Sequence, residues 1–458
     1  MDAVFEFIRR CHERNISLHG FMAVKGDKVI AERYFAPFDE NSLHRMFSVS
    51  KSFTSLAVGL MASEGLIGLD DKICDRFPEY VDENTHPWIK EMTIRQMLMM
   101  ATCHSQTTYK RFEEDDWAKS FFTVKPDHRS GTLFSYDTSS SHVLAKLVEK
   151  TTEKKMLDYL REKFLGKIGF SKEAYMITDP SGTSQGGSGL MCTLRDAMKV
   201  ACLLKNGGTY DKEQLIPEVF LKEATVKQID TDPFSAEDDG AGYGYFFWKT
   251  RYKGFAMQGM GSQLFYIFPD LDFAFGVIAD TQGLAAGQQL LTDIFYDTIY
   301  RWVRPKNWKP YALGNDKPTE EIFGLPKGKA DSLTARRVQG KTAAFEDNAM
   351  GLKSIKFDFE KKKLHFVTEA RDFTLEYDTG RWKEFTFPGS DQKAVIAGAW
   401  RSENRFLIKI QIIGEDLSPV AIEVGFRTDH AVSVRMKNTS EPVILRNFSG
   451  FAGGTCGN

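Results

Sequence analysis

The sequence predicts an α+β chain in two parts, an antiparallel sheet covered by helices and then a separate all-β domain. Three observations support this. Short β-type runs at 245–250, 254–258, 262–268 and 273–279 alternate with turn residues, too closely spaced for the crossovers that parallel pairing needs. Two further β-type runs flank a Gly26-Asp27 turn between residues 20 and 35 and read as a hairpin. Beyond about residue 335, apolar residues recur with period two, strand after strand, with no helix between them.

Taken in order, residues 3–15 carry Val4, Phe7, Ile8 and Cys11 on one side of an amphipathic helix. A helix opening near Ser48 runs to about Glu64, where Gly65 stops it. Helices follow at 93–100, 141–151, 156–165 and 194–204, and a closing helix spans 284–303. The charged, aromatic stretch 112–131 lacks a clean period and predicts long surface loops, which are uncommon unless they line a site or move. The hairpin and the runs of 245–279 are expected to share one sheet. Prolines 305, 310, 318 and 326 lie in a stretch that reads as a linker. The expected division is a domain over 1–304, a linker over 305–334 and an all-β sandwich or barrel over 335–458, with strands at 355–359, 364–367, 373–377, 406–410, 421–424 and 432–435.

A length of 458 residues favours two domains over one core. The formal net charge of −2 supplies no pull toward nucleic acid or anionic membrane, so neither is an expected partner. No apolar run is long enough to span a bilayer. The acidic start, Met1-Asp2-Ala3-Val4-Phe5-Glu6, does not resemble a secretory leader, which points to the cytoplasm. The six scattered cysteines have no zinc spacing and are expected as free thiols, with no metal and no cofactor.

Chemistry concentrates in three places. In Phe47-Ser48-Val49-Ser50-Lys51-Ser52-Phe53 the lysine follows the serine by three residues, on one helical face. A lysine of lowered pKa there can take the proton that makes a serine hydroxyl nucleophilic. The bland alternative is a helix cap with a solvated lysine. A second Ser-x-x-Lys, Ser390 to Lys393, lies in a turn and reads as chance. In Phe134-Ser135-Tyr136-Asp137-Thr138 a tyrosine precedes a helix and can act as a general base beside Ser48; its alternative is a packed junction residue. In Met257-Gln258-Gly259-Met260-Gly261-Ser262-Gln263 the glycines mark a bulge or a close backbone approach, and an N–H there can serve an oxyanion hole. The alternative is a plain hairpin turn.

Together and in this order, these motifs resemble the serine β-lactamase/penicillin-binding-protein superfamily over about residues 18–303. The likeness is to its class C-like branch of esterases, D-aminopeptidases and 6-aminohexanoate-dimer hydrolases. Thr93-Ile94-Arg95-Gln96-Met97-Leu98, Gly186-Gly187-Ser188-Gly189-Leu190 and Leu204-Lys205-Asn206-Gly207-Gly208 are similar to further signatures of that group. The resemblance implies a β-lactamase/transpeptidase-like fold, Ser48 as acylated nucleophile, and Lys51 and Tyr136 as its activating pair. It implies the backbone N–H groups of Ser48 and Met260 as the oxyanion hole, with Thr138, Gly259, Gly261 and Gln263 against substrate. Two departures narrow it. Thr138 stands where the family has asparagine, and the third motif carries no lysine or histidine, both unfavourable for penicillin hydrolysis.

The expected function is hydrolysis of a small-molecule or short-peptide ester or amide through an acyl-serine. The alternatives are a penicillin-binding or sensing module that is acylated but turns over slowly, a weak β-lactamase, and a fold retained as scaffold. Acids at 113–116 and 237–239 would favour an amine-bearing substrate if they rim the cleft. The C-terminal domain is left with three roles: covering the cleft, driving oligomerisation, or binding a ligand in a lipocalin-like barrel.

Overall fold

The computed structural model describes residues 2–111, 114–231, 236–309, 324–390, 392–427, 430–438 and 448–457. The first part is built on a six-stranded antiparallel sheet. Its spatial order is Lys28–Tyr34, Ser17–Lys25, Phe273–Asp280, Gln263–Phe268, Phe255–Gly259 and Trp248–Lys249. The early hairpin thus joins the later strands directly, Ser17 opposite Asp280 and Lys25 opposite Phe273.

Helices cover both faces, which is why the strands read as unbroken apolar runs. Leu264, Tyr266 and Phe268 pack with Phe7, Phe275 and Phe295 under the N-terminal helix Ala3–Glu13 and the closing helix. Their neighbours Phe265 and Ile267 face the other layer, where Phe53, Leu56 and Leu203 lie. The centre of that layer is the helix Val49–Ser63, buried at every position from Val49 to Met61. Its second half, Leu56 to Met61, is apolar on every face, as suits an interior. At Gly59 an added Cβ would stand 2.3 Å from the Phe220 ring, so this helix and Glu218–Thr225 meet backbone to ring.

The C-terminal part is one ten-stranded antiparallel sheet. Its first strand, Thr342–Phe345, pairs with its last, Gly450–Cys456, so the meander curls into a barrel-like form with one core. Period-two burial sends Phe357, Phe366, Ile408, Ile422 and Val434 inward around Trp400.

Several expectations need correction. The stretch 112–131 contains the helix Trp117–Thr123, capped by the Asp116 carboxylate; its aromatic residues obscure the period. Residues 245–247 are not strand: Phe246 has φ +59 and donates to Leu98 O at 3.0 Å. The helix Glu218–Thr225 and the strands Thr342–Phe345, Lys383–Thr386, Lys393–Ser402 and Gly450–Cys456 extend the predicted set. Of the expected linker, 310–323 lie outside the described residues, and Lys329 is already bridged to Trp400. All six cysteines are free. No described helix is long and apolar enough to cross a membrane, and no group of three or more His, Cys, Asp or Glu among the described residues could hold a metal.

Candidate active site

The chain enters the central helix through an unusual conformation. Phe47 has φ +46, a left-handed backbone that costs a non-glycine residue about 1–3 kcal/mol. Hydrogen bonds hold it on both sides. Met46 N–H donates to Leu190 O at 2.9 Å, and Ser50 Oγ donates to Phe47 O at 2.7 Å while accepting from Leu190 N–H at 2.9 Å. The reversal leaves Ser48 at the start of the helix with its side chain free of any capping bond.

Lys51, one turn on, is fully buried, 0% exposed. Its Nζ stands 3.0 Å from Ser48 Oγ, 3.2 Å from Thr138 Oγ1 and 2.8 Å from Gly187 O. Burial lowers its pKa to about 7, against a smaller upward pull from Asp137. A cap with a solvated lysine therefore fails on both counts.

Tyr136 shares a hydrogen bond with the Ser48 side chain, and Lys51 Nζ lies 4.9 Å from its ring centroid. Burial pushes its phenol well above the ordinary value, so it is protonated near neutrality. Trp248 stacks on it at 5.6 Å and 28°. Asp137 next to it is fully buried and caps the helix Thr138–Thr152, accepting from Ser139 N–H at 2.8 Å and Ser140 N–H at 3.3 Å. Its carboxyl is raised to about 6, chiefly by burial. The serine-rich start of this helix hid the cap and placed the expected boundary too late.

The third motif lies on the strand Phe255–Gly259 and the turn after it. At Gly259 a Cβ would stand 2.2 Å from Met46 O, so this strand runs hard against the segment leading into Ser48. Met260 is 43% exposed beside it. Gly261 and Ser262, at φ +77 and +73, make the turn. Gln263 does not face the cleft: its fully buried amide donates to Met260 O and Ala279 O, each at 2.9 Å, and so holds the turn. Thr138 directs its hydroxyl to Lys51.

Three features escaped the sequence. The Gly187 carbonyl reaches Lys51 because Gly186 and Gly187 pack without side chains against the helix Thr138–Thr152. Trp248 was legible only as an aromatic in a β-type run. Asp239 separates from its acidic neighbours: Asp238 receives Arg251 at 2.6 Å and Gln289 at 2.8 Å, whereas the Asp239 carboxylate has no partner among the described residues. Burial and Asp238 raise Asp239 to about 6. Its charge acts on Tyr136, and Lys249 N–H donates to Gly242 O at 2.9 Å to fasten its turn beside Trp248. Glu113 lies outside the described residues.

A helix-covered antiparallel sheet with Ser-x-x-Lys at the head of its central helix defines the β-lactamase/transpeptidase class of fold. Residues 12–294, more than half of the chain, match the family described as Beta-lactamase, and the chain belongs to that family. A 6-aminohexanoate-dimer hydrolase of Paenarthrobacter ureafaciens is 26% identical over 208 residues, 41% of this chain and 52% of that protein. The chain thus spans about half the length of that curated relative. The octameric penicillin-binding protein homologue of Pyrococcus abyssi matches at TM-score 0.53 and 15% identity, over 99% of this chain and 100% of that one. SurE matches at TM-score 0.53 and 15% identity, over 93% and 94% of the respective chains. These two likenesses extend the shared fold into the C-terminal part.

In a Gly187→Ala variant the new Cβ would stand 2.4 Å from Thr138 Cγ2 and 2.5 Å from Ser141 Oγ. Denaturant unfolding is expected to show a loss of about 1–3 kcal/mol from this overpacking; an unchanged midpoint would contradict the close approach.

Proposed function

We propose that this β-lactamase-family hydrolase cleaves an ester or amide of a small molecule or short peptide through an acyl-Ser48 intermediate. The observation that carries this reading is the buried Lys51 amine, lowered to about 7 and 3.0 Å from Ser48 Oγ. As Ser48 Oγ attacks the carbonyl, its proton passes to neutral Lys51. Tyr136 gives its proton to the leaving atom, and the Lys51 ammonium returns one to the phenolate. Water then attacks the acyl-enzyme, its proton passing through Lys51 to Ser48 as the serine departs. The N–H of Ser48 has no partner among the described residues, and Met260 N–H, in the turn directly after the strand pressed against Met46, is the second oxyanion donor. The chemistry requires no metal or organic cofactor.

Asp239 supports an amine-bearing substrate. A half-buried carboxylate that acts on Tyr136 and has no partner among the described residues attracts an ammonium group, and a relative named for hydrolysing a 6-aminohexanoate dimer agrees with that class. With Thr138 and no third-motif cation, penicillins fit less well. A slowly deacylating sensor remains the second reading, favoured only by the same departures.

Ser48→Ala is expected to abolish both turnover of a chromogenic ester and labelling by a fluorophosphonate probe; retained labelling would remove Ser48 from its role. Wild-type product should continue past one equivalent per chain, whereas a burst that stops there identifies the sensor. Because only the neutral amine accepts a proton, kcat/KM should rise with pH through an apparent pKa near 7. At pH 6 it should be about one-tenth of its plateau, and a flat profile from pH 6 to 8 would exclude Lys51 as the base. Asp239→Asn should raise KM about tenfold for amine-bearing esters and leave uncharged esters unchanged; equal effects on both would refute the amine preference.

A further inference from the structure

The C-terminal barrel reaches the first part of the chain immediately before Ser48. Phe47 is 6% exposed and packs in a small cluster of its own, apart from the three larger cores, with Phe38 and Leu417 and with the half-buried Ile413. Leu417 and Ile413 belong to the barrel; Leu417 lies in the loop between strands Arg405–Ile413 and Pro419–Phe426 and is 1% exposed. The ring that this loop covers therefore belongs to the residue with φ +46 directly before Ser48.

The same loop grips the opposite wall. Arg45 Nη1 donates to Glu415 O at 2.5 Å, its Nε to Ser188 O at 3.2 Å, and its guanidinium lies 4.9 Å from the Phe47 ring centroid. Ser188 follows Gly187, whose carbonyl receives Lys51. Tyr175 OH donates to Glu415 Oε1 at 2.9 Å. The loop is itself stiff: Leu417 N–H donates to Gly414 O at 3.1 Å, and Asp416 N–H donates to Gln392 Oε1 at 3.2 Å. A stiff external wedge can hold a strained conformation that the local sequence would not keep.

We propose that the barrel loop from Gly414 to Ser418 is a positioning element of the acyl-transfer site, with Leu417 as its positioning residue acting through Phe47. Leu417 confines the Phe47 ring, the left-handed backbone follows, and Ser48 Oγ is thereby kept against Lys51 and Tyr136. Without the wedge Phe47 relaxes toward ordinary φ, and Ser48 swings away from Lys51. The barrel is on this account part of the catalytic apparatus. The proposal rests on Ser48 as nucleophile, and Ser48→Ala tests that premise separately.

The test is a double-mutant cycle in the full chain, with active molecules counted by fluorophosphonate titration. Leu417→Ala should lower kcat and the labelling rate at least tenfold while KM changes less than twofold, and Leu417→Met should recover activity to within threefold. Phe47→Gly accepts positive φ without a side chain to be held, so adding Leu417→Ala to it should cost less than threefold further. Equal losses in both backgrounds, or a Leu417→Ala enzyme with lowered melting temperature and full kcat per active molecule, would overturn the proposal. Should Leu417→Ala not fold, Leu417→Val runs the same cycle, and the same additive result decides against the proposal.

Discussion

The structure turns on burying the amine of Lys51. A lysine wholly removed from water favours its neutral form, here on the order of 5 kcal/mol relative to a solvated one. That preference is sustained only while the surroundings stay closed and offer oxygens rather than carboxylates at contact distance. Ser48, Thr138 and Gly187 supply those oxygens. Asp137, the acid that acts on the amine, binds two backbone N–H groups at a helix start and is itself raised by burial. A contact carboxylate would have kept the lysine charged and unable to accept a proton.

Much of the first part serves that enclosure. The central helix is buried on every side, the paired glycines bring a carbonyl to the amine, and Gly259 lets a strand run against the segment entering the helix. Each is a close backbone approach where a Cβ would collide. Beneath the entry, His44 and His19 pair at 2.8 Å, and burial holds both below the ordinary imidazole range. His44 Nδ1 faces Arg45 O at 3.1 Å and so carries the proton, leaving Nε2 to accept from His19. A neutral aromatic floor thus underlies the strained residue.

The barrel gives the second half of the chain a place in this scheme. Three roles were open for an all-β tail, and the loop carrying Leu417 and Glu415 adds a fourth, contact with the Arg45 and Phe47 side chains in the segment that leads into Ser48. Strain at Phe47 and a wedge from another domain together separate the serine's position from the local helical preference. That separation lets Ser48 start a helix without capping it.

Periodicity alone disclosed the two-part architecture, the hairpin, the central helix and most strands, because a two-residue or helical repeat is written locally. The spacing of Ser48 and Lys51 and the tyrosine before a helix were equally local. The helix Trp117–Thr123, the irregular 245–247 segment and the Asp137 cap were obscured where aromatic residues or serine runs blur the period. What only the tertiary structure decided is how far each group lies from water and from the others. The lowered pKa of Lys51, the structural use of Gln263, the burial of Asp239 and the packing of Leu417 on Phe47 all depend on residues far away in sequence. Burial and long-range contact set pKa and conformation, and neither is encoded in any short stretch of chain.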